Sequence, residues 1–283
     1  MPVLLPPRLE QIAIATFLDR ETAKIDALML EQRRLIGLLK EKRQAVISHA
    51  IRKGIAPNVS MKNSGIEWLG EVPAHWKLVP AKRVADVFVP QRNKPELNNE
   101  FEGVPWITME DMTTPDILVS ALHVSSEAAV MAGSRVLEKG AVIASCVGSF
   151  GVSAINRVDV IINQQLQAFV PKHDVVPEFL RLCLWSSGPY FESVATAATI
   201  AYVNQVQFGE LPLALPPIDE QREIVVATTQ SIDLIDELVV QTELAIELLQ
   251  ERRATLISAA VTGKIDVRGF VEVDAPAPGV VAA

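Results

Sequence analysis

Cysteine and tyrosine are nearly missing from this chain, at two residues each in 283, and aromatic residues make up only 5%. Cys146 and Cys183 lie far apart and match no metal-binding or redox spacing. That excludes a disulfide framework and suits a reducing, intracellular compartment. Long apolar runs are missing too: no stretch approaches the roughly 18 uninterrupted apolar residues that a membrane span requires. The opening segment, Met1-Pro2-Val3-Leu4-Leu5-Pro6-Pro7, has no basic stretch leading into an apolar one. No signal peptide is therefore expected, and the reading is a soluble, cytoplasmic protein without membrane contact.

Catalytic constellations are equally sparse. The histidines, His49, His75, His123 and His173, are scattered, so no metal site is expected. There is no phosphate-cradling Walker loop and no paired-acid-plus-lysine nuclease pattern. Gly148-Ser149-Phe150-Gly151 reads as a tight turn between strands rather than as a cofactor loop. A DNA methyltransferase would need a glycine-rich cofactor loop and an Asn/Asp-Pro-Pro-aromatic tetrad, whereas both Pro-Pro pairs here follow leucine. The expectation is a non-catalytic protein that holds no cofactor of its own.

A surplus of positive charge is also lacking overall, with a net charge of −8. Its distribution is uneven: residues 1–65 carry +5, residues 66–210 carry −6, and residues 211–283 carry −7. An acidic middle region cannot bind DNA strongly by counterion release alone. If it reads DNA, it needs a local basic patch or a partner that supplies phosphate contacts.

What the chain does have is an internal repeat. Residues 2–55 lie over residues 212–265 without a gap, and 19 of the 54 positions are identical. Chance would give about three matches at ordinary composition. Leu5-Pro6-Pro7 matches Leu215-Pro216-Pro217, Glu10-Gln11 matches Glu220-Gln221, and Ile25-Asp26 matches Ile235-Asp236. In each copy a Pro-Pro pair ends what precedes it, and an acidic, Gln-containing turn opens a helix. A seven-residue apolar stripe follows: Ile25, Leu28, Leu35, Leu39 and Val46 in the first copy, Ile235, Leu238, Ala245, Leu249 and Leu256 in the second. Steps of three, four and seven are the mark of a helix-pairing seam. Gln32 and Thr242 fill its shared polar position, and Lys42 and Arg252 another. Both copies end near glycine, at Gly54 and Gly263. Two matched helices around a globular middle suggest a paired spacer, within one chain or between chains.

Between the copies, residues 66–214 hold all four tryptophans, both tyrosines and seven of the nine phenylalanines. Short β-rich runs recur there: Lys77–Val79, Val84–Val89, Pro105–Thr108, Ala141–Ser145, Val152–Asn156 and Gln167–Val170. Turn residues separate them, and Pro177–Trp185 reads as a helix. The expected class is α+β: a domain with a mixed, mainly antiparallel sheet, flanked by two long coiled-coil-forming helices. The expected divisions are residues 1–60, 61–214 and 215–268, with a disordered tail over 269–283.

The Leu-Pro-Pro…Glu-Gln element leading into a long helix, present at both ends, resembles the conserved regions of type I restriction–modification specificity subunits. Gly65-Ile66-Glu67-Trp68-Leu69-Gly70-Glu71-Val72-Pro73-Ala74-His75-Trp76 is similar to the entry of their target-recognition domain. Leu137-Glu138-Lys139-Gly140 through Gly151, then Asn163-Gln164-Gln165, is similar to that domain's middle. The resemblance covers about residues 2–268. It implies one half of a bipartite double-stranded DNA target read by one recognition domain, with paired helices acting as a ruler. It also implies methyltransferase (M) subunits that carry S-adenosylmethionine, translocase–nuclease (R) subunits, and self-association through the spacer helices. The chain departs from the family in having a single recognition domain, like the C-terminal half of a specificity subunit.

Base edges are read mainly by Arg, Lys, Asn and Gln side chains on loops. The candidates are Gln91, Arg92, Asn93 and Lys94, then Ser149 and Phe150, then Thr199, Tyr202, Asn204 and Gln205. Asn163, Gln164 and Gln165 are equally open to a structural or a reading role. Two rival readings stand beside this one: a scaffold that binds the methyltransferase without reading DNA, and an enzyme with an unrecognised site in the middle domain.

Overall fold

The computed structural model describes residues 6–196 and 201–267. The expected tail over 269–283 lies outside the described residues. In chain order the elements begin with helix α1 (Arg8–Lys53) and strands β1 (Met61–Asn63), β2 (Glu71–Pro73) and β3 (Lys77–Pro80). Next come α2 (Ala81–Val84), β4 (Ala85–Phe88), β5 (Val104–Ile107), β6 (Asp116–Ile117), β7 (His123–Val124) and α3 (Ser126–Ala132). Strands β8 (Val142–Ser145), β9 (Ser153–Asn156), β10 (Ile161–Ile162) and β11 (Leu166–Pro171) follow, then α4 (Pro177–Ser186) and α5 (Gly188–Val194). The chain closes with α6 (Gln205–Gly209), β12 (Pro212–Leu215) and α7 (Ile218–Val261). The fold is α+β, with a mixed sheet and two long helices that precede and follow it in the chain. It divides into two compact units, one of residues 1–43 with 233–283, the other of residues 44–232.

In the first unit α1 and α7 run antiparallel. Arg43 reaches Asp236 at 3.2 Å, and Arg253 reaches Asp26 at 2.9 Å. These ion pairs are the same pair twice, because Asp26 matches Asp236 and Arg43 matches Arg253 in the repeat. The side chains are roughly one-quarter to one-half exposed, so each pair contributes under about 1 kcal/mol; they set register more than stability. The two helices bury matching positions. In α1 these are Ile25, Met29, Gln32, Ile36, Leu39 and Arg43; in α7 they are Ile235, Val239, Thr242, Ile246, Leu249 and Arg253, each buried or half-buried. At the end of this unit Ala13, Phe17, Ala260 and Val267 form a separate small core.

The seam therefore differs from the expected one at every second position. Ile25, Leu39, Ile235, Leu249 and Leu256 lie on it and Val46 falls in the second unit, while Leu28, Leu35 and Leu238 are about half exposed. Ala245 is half-buried, and Lys42 and Arg252 are exposed. The physical reason is the order of the steps, four then three rather than three then four. Each expected leucine sits one residue before the seam, about 100° round the helix. Leu39→Ala is expected to cost about 2–4 kcal/mol, since it removes a buried side chain from a closed seam. The adjacent, exposed Leu38→Ala is expected to stay within about 0.5 kcal/mol. Equal shifts of the two variants in thermal unfolding would contradict this seam.

The second unit is built on a five-stranded sheet in the order β4-β11-β8-β9-β6. Every pairing in it is antiparallel except β6 with β9. One face packs on α4, α5 and α6, with Phe169, Phe208 and Phe191 stacked at centroid distances of 5.4 and 4.8 Å. Ile47, Ala50 and Ile51 of α1 and Ile224 of α7 enter the same core. Trp76 is 1% exposed and donates from Nε1 to Glu220 Oε1 at 3.0 Å, while His75 Nε2 lies 2.8 Å from the other carboxylate oxygen. Gly54, which ends α1 with a φ of 73°, lets the chain pass this ring; a Cβ there would come within 3.2 Å of it.

Gln221 fastens the entry of α7 to the sheet unit. Completely buried, it accepts from Val176 N at 2.9 Å and donates to Asp174 O at 3.1 Å and Pro216 O at 3.0 Å. Its repeat counterpart, Gln11, makes the equivalent bond to Pro6 O at 2.8 Å but is exposed. The same element thus occurs once with its polar groups engaged and once with them presented outward.

Both thiols are buried and unpaired. Burial pushes the Cys146 thiol up to about 11, and raises that of the fully enclosed Cys183 further. In the unfolded chain thiols ionise near 8.5. Folded stability from this source is therefore complete below that pH and is lost as pH climbs towards about 11. Urea midpoints measured across the alkaline range are expected to fall, and a Cys146→Ser/Cys183→Ala variant is expected to fall less steeply.

Candidate nucleic-acid interface

Sheet topology gathers what the sequence scatters. Strands β4 and β8 leave the sheet at Phe88 and Ser145, while β11 and β9 enter it at Leu166 and Ser153. Phe88 pairs with Ala168, Ser145 with Leu166 and Ala144 with Ser153. Because these neighbours are antiparallel, the loops that follow Phe88 and Ser145 and precede Ser153 and Leu166 all emerge at one end. Those loops contain Gln91–Lys94, Ser149–Phe150 and Asn163–Gln165.

The segment before α6 joins them. Tyr202 forms bridges with Val147 and with Thr196, Gly148 N donates to Ala201 O at 2.9 Å, and Val203 N donates to Cys146 O at 3.0 Å. Gln167, 1% exposed, donates to Val203 O at 3.1 Å and fixes that segment from within the sheet. Of the expected readers here, Thr199 lies outside the described residues. Tyr202 is 41% exposed.

Not every candidate side chain is available to a ligand. Asn204 caps α6, accepting from Val206 N at 2.9 Å and Gln207 N at 3.0 Å, while Gln207 answers by accepting from Asn204 N. This reciprocal cap occupies the Asn204 side-chain oxygen. Phe150 is half-buried, 6.1 Å from Phe191, and so roots its turn in the core. Gly151 is required there: its φ is 85°, and a Cβ would lie 2.9 Å from Trp185 O. Gln205 is exposed and donates to Val87 O at 3.3 Å, and the Ser149 side chain is exposed.

Gln91, Arg92, Asn93 and Lys94 are all exposed. Their loop is held from below by Gln164, whose Nε2 donates to Gln91 O at 3.0 Å and to Arg92 O at 3.2 Å. Gln164 is therefore a positioning residue, and Asn163 and Gln165 tie their own turn through mutual hydrogen bonds. Among the described residues, Arg92 and Lys94 form no ion pair, whereas Lys82, Arg157 and Lys172 are matched to Glu210, Asp116 with Glu178, and Asp86. Arg92 and Lys94 are thus unneutralised cations on a braced loop in a region of net negative charge. Among the described residues there is no group of three or more His, Cys, Asp or Glu that could hold a metal ion. Nor is any described helix long and apolar enough to cross a membrane.

Known proteins resemble the chain over most of its length. The type I restriction modification DNA specificity domain matches residues 73–248. The EcoBI specificity subunit of the type I restriction enzyme from Escherichia coli is 23% identical over 95% of this chain and 59% of its own length. The MjaVIII specificity subunit from Methanocaldococcus jannaschii is 24% identical over 94% of this chain and 62% of its own length. Among solved structures, the HsdS subunit from Thermoanaerobacter tengcongensis superposes with a TM-score of 0.57 at 18% identity, over 93% of this chain and 60% of that one. A chain from a type I R-M system, solved for its complex assembly and conformational transition, gives 0.65 at 19% identity, over 88% of this chain and 60% of that one. These likenesses show the fold. The chain spans about three-fifths of the length of these relatives.

Proposed function

Because the chain belongs to the type I restriction modification DNA specificity family, we propose that it is a non-catalytic DNA-recognition subunit that reads one half of a bipartite target. The reading rests on one observation. The Leu-Pro-Pro…Gln element occurs twice in the sequence, and among the described residues it is the second copy that is engaged with a recognition domain, through Gln221 and the Asp174–Val176 backbone. Gln11 holds the same local geometry with its outer groups exposed. A frame with two such fastenings is suited to two recognition domains.

Self-association through the spacer helices supplies a route to the second domain. Asp26 and Arg43 occupy the repeat positions of Asp236 and Arg253, so α1 of one chain has the chemistry to pair with α1 of another in place of its own α7 and in the same register. Methyltransferase subunits carrying S-adenosylmethionine would dock on this frame and act on the recognised site in the cytoplasm, and translocase–nuclease subunits would join them. Two identical recognition domains would read a palindromic, interrupted sequence.

Co-expression of the full chain with a type I methyltransferase subunit, followed by methylome sequencing, tests this directly. A methylated, interrupted palindrome is the expected outcome, together with a chain that sediments as more than a monomer. A strictly monomeric chain, with and without the methyltransferase subunit, would refute the paired form. Partner binding without any sequence-specific DNA protection would favour a scaffold.

A further inference from the structure

We infer that Arg135 is a DNA-backbone contact, a guanidinium held ready for phosphate by Phe88 and Val89. The inference rests on the DNA-recognition reading and extends its site to a residue more than forty positions along the chain from the Gln91–Lys94 loop.

Arg135 follows α3, whose end is turned by Gly133 in the left-handed conformation at a φ of 64°. This turn returns the chain to the end of β4. There the guanidinium carbon lies 4.5 Å from the centroid of the Phe88 ring, and Nη1 donates to Val89 O at 3.3 Å. Phe88 is 8% exposed, and Arg135 itself is exposed. One face of the guanidinium plane and one of its five N–H groups are therefore committed to the protein, and the other N–H groups remain for a ligand.

The ring contact and the Val89 bond hold the guanidinium at two points, so less side-chain freedom is left to lose when an oxyanion binds. A planar donor fork of that kind matches phosphate geometry in a way that lysine does not. Val89 O, Gln91 O and Arg92 O are each tied by a side chain from elsewhere, Arg135 for the first and Gln164 for the other two. The bracing holds the backbone of the segment that carries the exposed Arg92 and Lys94, with Arg135 bonded to the same segment at Val89.

Among the described residues Arg135 makes no ion pair, in a domain whose residues 66–210 carry −6 overall. Merely covering Phe88 would need no charge. Three unneutralised cations at one end of an acidic domain form the local basic patch that DNA binding requires of it.

The discriminating variants are Arg135→Gln, which keeps a flat donor for Val89 O but loses the charge, and Arg135→Lys, which keeps the charge but loses the plane. Each is assembled as the full chain with methyltransferase subunits. Affinity is measured between about 50 and 200 mM salt for a short duplex carrying the methylated site and for a scrambled duplex. Arg135→Gln is expected to weaken both duplexes about fivefold near 0.15 M salt and to lower the slope of log affinity against log salt by about one. Arg135→Lys is expected to keep the slope. A wild-type slope for Arg135→Gln would overturn the inference, as would a loss confined to the methylated-site duplex. A wild-type complex that binds neither duplex would overturn the DNA-recognition reading itself, and this inference with it.

Discussion

Gln221→Ala is expected to destabilise the chain by about 2–4 kcal/mol, and Gln11→Ala, the same change in the other copy of the repeat, by no more than about 0.5 kcal/mol. Gln221 is completely buried, and its amide serves Val176 N, Asp174 O and Pro216 O together. Truncation leaves a donor and two acceptors without their side-chain partner inside the protein, where each unmade bond costs about 1–3 kcal/mol. Gln11 keeps its single bond to Pro6 O in contact with water, which replaces the amide at little cost. Urea denaturation of the two variants is the measurement. Equal destabilisation would show that the two elements are engaged alike, and would remove the observation on which the two-domain frame rests. The asymmetry should reverse in the assembled complex, where loss of Gln11 is expected to weaken association.

How much of this was legible in the sequence depends on the distance over which each contact acts. The repeat and the long helices were visible because Pro-Pro entries, glycine exits and a seven-residue period are local signals. The seam was half visible. Ile25, Leu39, Ile235 and Leu249 recur every seventh or fourteenth residue and are on it, but its intermediate positions fall on Met29, Ile36 and Val239 rather than on Leu28, Leu35 and Leu238. Apolar residues occupy both members of each adjacent pair, so period alone cannot choose between them; the partner helix chooses.

In the sheet unit the runs from Lys77 to Val170 were read within a residue or two in most cases. The helical turn at Ala81–Val84 replaced the first residue of one expected strand, because Ala81 N is taken by Leu211 O instead of a sheet neighbour. What the sequence could not show was which loops share an end. That follows from β11 lying between β4 and β8, pairings that span from about twenty to more than eighty residues of chain. Asn204 is a different case. Its capping pattern with Gln207 is local and was there to be read, so a base-reading role was the weaker assignment for it from the start. Arg135 carries no local signal, since only the return of the chain after α3 brings it to Phe88.

The Gln91–Lys94 loop carries the second large effect. Arg92→Ala with Lys94→Ala is expected to weaken DNA binding by the assembled complex about thirtyfold near 0.15 M salt, without lowering the unfolding temperature. The magnitude follows from counterion release: each phosphate contact contributes a slope of about −0.9, worth about fivefold to sixfold at that ionic strength, and two contacts multiply. Thermal stability should not move, because both side chains are exposed and form no ion pair among the described residues, while the loop's backbone is held by Gln164. That separation makes Gln164→Ala the natural companion. It leaves both charges in place but frees the Gln91 and Arg92 carbonyls, so discrimination between the methylated-site duplex and a scrambled one should suffer more than the salt slope does. If the double variant binds with unchanged affinity and unchanged salt slope, this loop is a solvated turn, and the interface must be sought among Tyr202, Gln205 and the Ser149 turn at the same end of the sheet.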